Sequence, residues 1–351
     1  MIEKLLDASI RFRWGVVILT LIISAYGLSE LMKLPIDAVP DITNKQVQIN
    51  TVEPNLGPLD IERLVTFPVE TAMAGIPGLE SSRSISRNGF SQVTVIFEDH
   101  TDLYFARQQV AERLNQAKGT LPEGVEPQMG PVSTGLGEVL MYIVDFAKPG
   151  SKAAPKVAGK PGFQPDGSYM TPSGEILTDE VAKLGYLRTV QDWVIRPQLK
   201  TVSGVAGIDS IGGYEKQFVV QPDASKLSTY GISFSELAEA LERANISVGA
   251  NFVERGGEAF LVRADGRIRS VDEIGRATVA SRGGVPVAVR DVATVQIGGE
   301  LRTGSASENG KEIVVGTALM LADGNSRVVA SAVADRLEEV AKSLPPGITV
   351  K

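Results

Sequence analysis

Leu103-Tyr-Phe-Ala-Arg-Gln-Gln-Val-Ala-Glu-Arg-Leu-Asn-Gln-Ala117, closed by Leu121-Pro-Glu-Gly-Val125, reads as a helix that stops on a proline–glycine turn and hands on to a strand. Working back from it, Gln92–Phe97 and Ser81–Ser86 read as strands and Pro77-Gly78 as a turn. Leu59–Ala74 has helical spacing, with Leu64, Val65, Val69 and Met73 on one side, and Gln46–Val52 alternates as a strand. The order is βαββαβ, the ferredoxin-like pattern. The same turn recurs as Leu344-Pro-Pro-Gly-Ile348 after a predicted helix, Ser326–Leu344, in which Arg336-Leu337 matches Arg113-Leu114. Upstream of it, Val139–Phe146, Ala206–Ile211, Ala288–Ile297 and Ile313–Leu321 read as strands and Leu187–Val202 as a helix. Ser203-Gly-Val205 is the counterpart of Pro77-Gly-Leu79. We expect a second copy of the first unit, split by an insertion. The alternative is that βαβ units recur in many folds and that this turn is a common helix stop.

The interruption, 213–284, predicts a small α+β module. Gln217–Gln221 reads as a strand and Ser233–Asn245 as a helix capped by Ser233 or Ser235. Gly249–Arg263 reads as an apolar hairpin turning at Gly256-Gly257, a candidate partner-binding arm, with packing on its own domain as the alternative. Residues 148–183 are rich in proline, glycine and polar side chains and are expected to form a long surface loop without regular structure, with adaptor contact as one use for it. The expected domains are therefore 1–34, 35–132, 133–212 with 285–351, and 213–284.

Trp14–Ser29 carries no charge, between Lys4, Arg11 and Arg13 on one side and Glu30 and Lys33 on the other. Its length of about 24 Å is close to the hydrocarbon layer once Trp14, Met32 and the Lys33 stem extend it. Basic residues precede the segment, so Met1 is expected in the cytoplasm and the bulk of the chain outside. A cleaved signal peptide is the alternative; Tyr26-Gly-Leu-Ser-Glu30 is no small-x-small site. The fold class is thus α+β: one N-terminal transmembrane helix, then two ferredoxin-like subdomains, the second interrupted. The 351 residues carry a net charge of −7, which indicates no nucleic-acid role, and the absence of cysteine excludes disulfides and thiolate metal sites. With one histidine, His100, metal ligands have to be carboxylates, other oxygens or methionine sulfurs.

After the apolar segment comes Leu34-Pro-Ile-Asp-Ala-Val-Pro-Asp-Ile-Thr-Asn44, then Thr66-Phe-Pro-Val-Glu70, Ser91-Gln-Val-Thr-Val-Ile-Phe97 and Tyr104-Phe-Ala-Arg107. Farther on stand Gly130-Pro-Val-Ser-Thr-Gly-Leu-Gly-Glu138, Gln191-Asp-Trp193 and Arg290-Asp-Val-Ala293. In this order the blocks resemble the heavy-metal efflux branch of the resistance-nodulation-division (RND) transporters, over all of the chain except residues near 148–183. The resemblance implies a porter segment with a docking insertion, in an inner-membrane homotrimer that works with a periplasmic adaptor (membrane fusion protein) and an outer-membrane channel. It also implies proton-driven antiport, whose ionisable residues belong to later membrane helices. The chain reads as the N-terminal third of such a pump and is not expected to transport alone.

No catalytic constellation appears. Gly135-Leu-Gly137 lacks the third glycine of a dinucleotide loop, no phosphate loop is present, and neither an enzyme nor a cofactor is expected. Glu138 is the foremost metal candidate, following the flexible Thr134-Gly-Leu-Gly137 at the start of the second unit; a carboxylate suits a borderline or hard divalent cation. By the resemblance this position falls at the porter cleft, and glutamate there tilts the cargo toward Zn²⁺, Co²⁺ or Cd²⁺ rather than Cu⁺ or Ag⁺. Asp192 is the second candidate ligand, with helix stability or packing as its other reading. Met129 and Met141 flank the same region, where soft Cu⁺ or Ag⁺ coordination is the alternative, but Met141 reads as a core residue of its strand; Asp37 and Asp41 read as turn and cap residues. From another class, the alternative function is a membrane-tethered interaction module that assembles with a trimer or adaptor.

Overall fold

The computed structural model describes residues 10–33, 43–134, 137–255, 258–268, 270–300, 302, 304–322 and 324–351, with side chains left out over 247–265. Most of the Leu34–Asn44 motif, with Asp37 and Asp41, lies outside them. Helix α1 (Arg13–Lys33) comes first. Strand β1 (Gln46–Val52), helix α2 (58–73), strands β2 (Leu79–Arg87) and β3 (Phe90–Phe97), helix α3 (Leu103–Ala117) and β4 (Gln128–Met129) follow. Next are β5 (Glu138–Phe146), the two-residue strands β6 (Gly162–Phe163), β7 (Tyr169–Met170) and β8 (Ile176–Leu177), helix α4 (180–199) and β9 (Val205–Ile211). Then come β10 (Lys216–Pro222), α5 (Ala224–Tyr230), α6 (Phe234–Ala244), β11 (Ser247–Arg255), β12 (Glu258–Asp265), α7 (Val271–Arg276), β13 (Thr278–Arg282), β14 (Val285–Ala288), α8 (Val289–Val292) and β15 (Ala293–Gly299). The last are β16 (Ala306–Glu308), β17 (Lys311–Met320), α9 (Ser326–Ala341) and β18 (Ile348–Val350).

The chain divides into two compact units, the first comprising Met1–Pro155, Val190–Ile211 and Val315–Lys351. It holds α1, which is long and apolar enough to cross a membrane, and two sheets. The order in one sheet is β2-β3-β1-β4. In the other, β17 lies between β9 and β5, and β18 pairs with β5. Numbered within each repeat, both orders are 2-3-1-4, and every pairing for which a register is resolved is antiparallel. The first sheet's core follows from the alternation of β1: Val47 and Ile49 point inward opposite Val95 and Val93, against Val69 and Met73 of α2 and Ala106, Val110 and Leu114 of α3. Asp102 caps α3 by accepting from the Phe105 amide at 2.8 Å.

Helices α2 and α4 share a defect in the same place. Each winds as a π-turn, Glu62–Thr66 and Gln191–Ile195, immediately before a residue followed by proline. Pro68 and Pro197 have no amide to bond the fourth carbonyl back, and their rings crowd it. The helix widens, and the preceding amides reach one residue farther: Phe67 to Glu62 and Arg196 to Gln191.

The second unit comprises Lys156–Thr189 and Gly212–Val314. Its core gathers Leu227, Leu237, Ile274, Val287, Val289 and Val292. A capping box joins Ser233 and Glu236 at the start of α6. The expected hairpin strands are present as β11 and β12, whose register sets Arg255 opposite Glu258; the expected turn residues, Gly256 and Gly257, lie outside the described residues. Three expectations are corrected. β15 pairs along its length with β10, so 288–297 belongs to the insertion and the second repeat resumes at β17, not at residue 285. Residues 148–183 are not an irregular loop: β6, β7 and β8 form a small antiparallel sheet, and α4 begins at Glu180. Buried Phe163 and Tyr169 meet edge to face at 5.3 Å, Tyr169 lies 5.6 Å from Tyr186, and Gly159, Gly167 and Gly174 make turns at positive φ. Finally, Met141 is 63% exposed, the opposite of a core methionine.

Candidate functional site

Glu138 is placed by the segment that precedes it. Met129 pairs with Ile49, and the Gly130 amide donates to the Gln48 carbonyl at 2.8 Å, tying this segment to the first sheet. At its other end the Ala322 amide donates to the Val132 carbonyl at 3.1 Å and the Met320 amide to the Gly137 carbonyl at 2.7 Å. Gly137 is buried, and a Cβ there would overlap Ser133 Oγ and stand 3.3 Å from the Met320 carbonyl oxygen. Thr134 and Gly137 are thus held by backbone bonds, including Gly137 N–H to the Thr134 carbonyl at 3.0 Å, where a flexible stretch was expected. Gly135 and Leu136 lie outside the described residues. Glu138 emerges as the exposed first residue of β5, without an ion-pair partner among the described residues.

Asp192 sits in a different setting, on the π-turn of α4. Gln191, fully buried, donates through Nε2 to the Tyr142 hydroxyl at 2.9 Å and to Ser210 Oγ at 3.2 Å. Ser210 donates in turn to Asp192 Oδ1 at 2.7 Å, and Arg196 approaches the same oxygen at 3.4 Å while its Nε donates to the Ile208 carbonyl. The Tyr142 ring lies over Gly316 of β17, which stands opposite Ser210 in the ladder. Burial pushes the Tyr142 hydroxyl up to about 12, against the hydrogen bond from Gln191, so it keeps its proton at neutral pH. The first repeat has its own buried polar cluster: Thr66, at the end of its π-turn, shares hydrogen bonds with Ser86 at 2.8 Å and Ser91 at 2.7 Å. Nothing in the spacing of these residues announces either cluster.

The two candidate carboxylates are not brought together. Glu138 and Tyr142 share a face of β5 but stand four residues, about 13 Å, apart along it, and Asp192 belongs to the Tyr142 end. Among the described residues no three His, Asp or Glu side chains gather where they could hold a metal ion. His100 pairs with Glu98 at 3.3 Å on the surface. Chemically, Glu138 can offer one or two oxygens to a divalent cation. Asp192 has committed one oxygen to Ser210 and Arg196.

Residues 5–351 match the model of the AcrB/AcrD/AcrF family. The chain is 62% identical over 350 residues to the nickel-cobalt-cadmium resistance protein NccA of Alcaligenes xylosoxydans xylosoxydans, covering 100% of this chain and 32% of that protein. It is 59% identical to the nickel and cobalt resistance protein CnrA of Cupriavidus metallidurans, with the same 100% and 32% coverage. The X-ray crystal structure of a heavy metal efflux pump matches it with a TM-score of 0.78 at 28% identity, over 96% of this chain and 31% of the other. The chain spans about a third of the length of these relatives. With its motifs, repeated sheet order and apolar first helix, it belongs to the AcrB/AcrD/AcrF family, in the heavy-metal efflux branch of the RND transporters.

Proposed function

We propose that the chain is the periplasmic porter segment of a proton-driven antiporter that exports divalent heavy metals, with Glu138 as a direct contact of the cargo. The observation that carries this reading is the placement of Glu138: exposed, unpaired among the described residues, and held by a segment bonded to both repeated sheets. An oxygen donor suits borderline cations better than Cu⁺. The names of the relatives at 62% and 59% identity point to nickel, cobalt and cadmium. Zinc enters through the cobalt-zinc-cadmium resistance protein at 46%, so nickel joins the cations that the resemblance implies. Asp192 is the second proposed contact; a cation there competes with Arg196 and Ser210 for its oxygens.

In this reading the two βαββαβ repeats are ferredoxin-like porter subdomains, and the insertion that carries the β11–β12 arm is the docking subdomain of a homotrimer. Helix α1 crosses the inner membrane with its N-terminus in the cytoplasm, and the adaptor and outer-membrane channel complete the export path. Exchange of protons for metal belongs to membrane helices beyond this segment. The chain is a transporter part and carries out no catalysis.

The test is calorimetric titration of Ni²⁺, Co²⁺, Cd²⁺, Zn²⁺ and Cu⁺ into the detergent-solubilised chain, as wild type and Glu138→Ala. Binding of the divalent ions that is lost in the variant is the expected result. Equal binding by both forms, or binding of Cu⁺ alone, would overturn the assignment of Glu138.

A further inference from the structure

The motif Arg290-Asp-Val-Ala293 lies in the insertion, away from Glu138 in the sequence. Helix α8 turns Val289 and Val292, both fully buried, into the core there, which leaves Arg290 exposed. Asp291 fixes the turn by accepting from the Ala288 amide at 2.8 Å. The Val289 amide donates to the Ala277 carbonyl at 2.9 Å and so ties α8 to the end of α7. Where the two short helices meet, Gly275 is buried, and a Cβ added to it would stand 3.6 Å from the Arg290 Cβ. The stem of Arg290 therefore lies against the backbone of α7. Arg276, the last residue of α7, donates through Nε to the Asp272 carbonyl at 3.2 Å. That bond holds its side chain back along the helix and leaves both Nη groups available.

The two arginines line one cleft of about 220 Å³ with Val271, Asp272, Gly275 and Val295. Charge and shape there select a class of ligand. Neither guanidinium has an ion-pair partner among the described residues. Two cations and the single carboxylate of Asp272 give the cleft a net charge of +1. That surplus matches a monoanion, whereas a phosphate dianion would bring a second negative charge beside Asp272. Each guanidinium presents its N–H groups in a planar fork that fits a carboxylate. Val271 and Val295, both half-buried, offer apolar surface to an aliphatic chain. The cleft has the liquid volume of about seven waters, room for a carboxyl group and about three to five carbons.

We propose that this cleft binds a small aliphatic monocarboxylate. Arg276 and Arg290 hold the carboxylate, Val271 and Val295 the chain, and Asp272 turns away doubly charged anions. The site lies wholly within the insertion and is independent of Glu138 and of the metal cargo.

The test is calorimetric titration of sodium pentanoate into the detergent-solubilised full chain at constant ionic strength. Saturable binding is expected, weakening about fourfold for each methylene removed on the way to acetate. Arg276→Gln and Arg290→Gln should each weaken pentanoate binding by about tenfold or more. Asp272→Asn should strengthen it several-fold and admit inorganic phosphate, a gain that damage to the fold would not produce. The site would be overturned by a wild type that shows no saturable binding or takes phosphate as tightly as pentanoate. Arg290→Gln binding as well as wild type, or Asp272→Asn showing no gain, would overturn it too.

Discussion

Replacing Gly316 by alanine should destabilise the second repeat. A Cβ at this position would overlap Cζ and the hydroxyl oxygen of Tyr142 and stand 2.5 Å from its Cε2. Ordinary carbon contact begins near 3.5 Å, so the ring has to retreat by about 1 Å. It has little freedom to do so, because Tyr142 is 2% exposed and its hydroxyl receives the 2.9 Å bond from fully buried Gln191. Overpacking costs about 1–3 kcal/mol, and a buried amide left without its partner costs about 1–3 kcal/mol more. The sum, about 2–6 kcal/mol, corresponds to a fall in Tm of roughly 5–20 °C for a unit of this size. Thermal unfolding of the full chain in detergent, followed by circular dichroism, reads it directly. Gly119→Ala is the control, since its backbone is not at positive φ and nothing lies within 4 Å of the new methyl. Tyr142→Leu combined with Gly316→Ala should cost less than the two single changes added together. A Gly316→Ala variant melting within about 2 °C of the control would refute the packing of the ring over the glycine.

Thr66→Val should lower stability by about 1–3 kcal/mol in urea unfolding, because it leaves Ser86 and Ser91 without their shared hydroxyl. Asp192→Ala and Glu138→Ala should separate: the first strips Ser210 and Arg196 of an acceptor and lowers Tm, while the second removes an exposed side chain and shifts stability by less than about 0.5 kcal/mol. Hydrogen bonds from the Ser233 amide and hydroxyl hold the Glu236 carboxyl below its usual value. Its stabilisation is therefore present above the unfolded carboxylate pKa of about 4.3 and lost as pH falls through the lower folded value. The Tm gap between wild type and Glu236→Ala should accordingly narrow in acid.

Much of the architecture was legible from periodicity because the physics there is local. The alternation of Gln46–Val52 returns as buried Val47, Ile49 and Thr51, and the stripe Ala106, Val110, Leu114 and Ala117 is the inner face of α3. Ser233 and Glu236 have the spacing of a capping box and form one. What escaped depends on residues far apart in the chain. Whether 293–299 joined the second repeat or the insertion turned on its pairing with β10, some seventy residues back. Proline and glycine near 148–183 pointed to a surface loop without regular structure, but Phe163, Tyr169 and Tyr186 supplied enough aromatic surface to hold a small sheet together. Pro68 and Pro197 each sit inside a segment read as one helix, and the result is a π-turn in each. Glu138 was visible through its motif. The Tyr142–Gln191–Ser210–Asp192 network was not, because it is assembled from a strand, a helix and a second strand.

The most direct test is a chimera in which this chain replaces the corresponding first third of the nickel-cobalt-cadmium resistance protein, scored by cobalt tolerance of a metal-sensitive host. The expected result is that the chimera restores growth in cobalt and that Glu138→Ala in the same chimera abolishes it at unchanged membrane abundance. A chimera that reaches the membrane at normal levels yet confers no tolerance, or one indifferent to Glu138→Ala, would contradict the assignment of this chain as a metal-contacting porter segment.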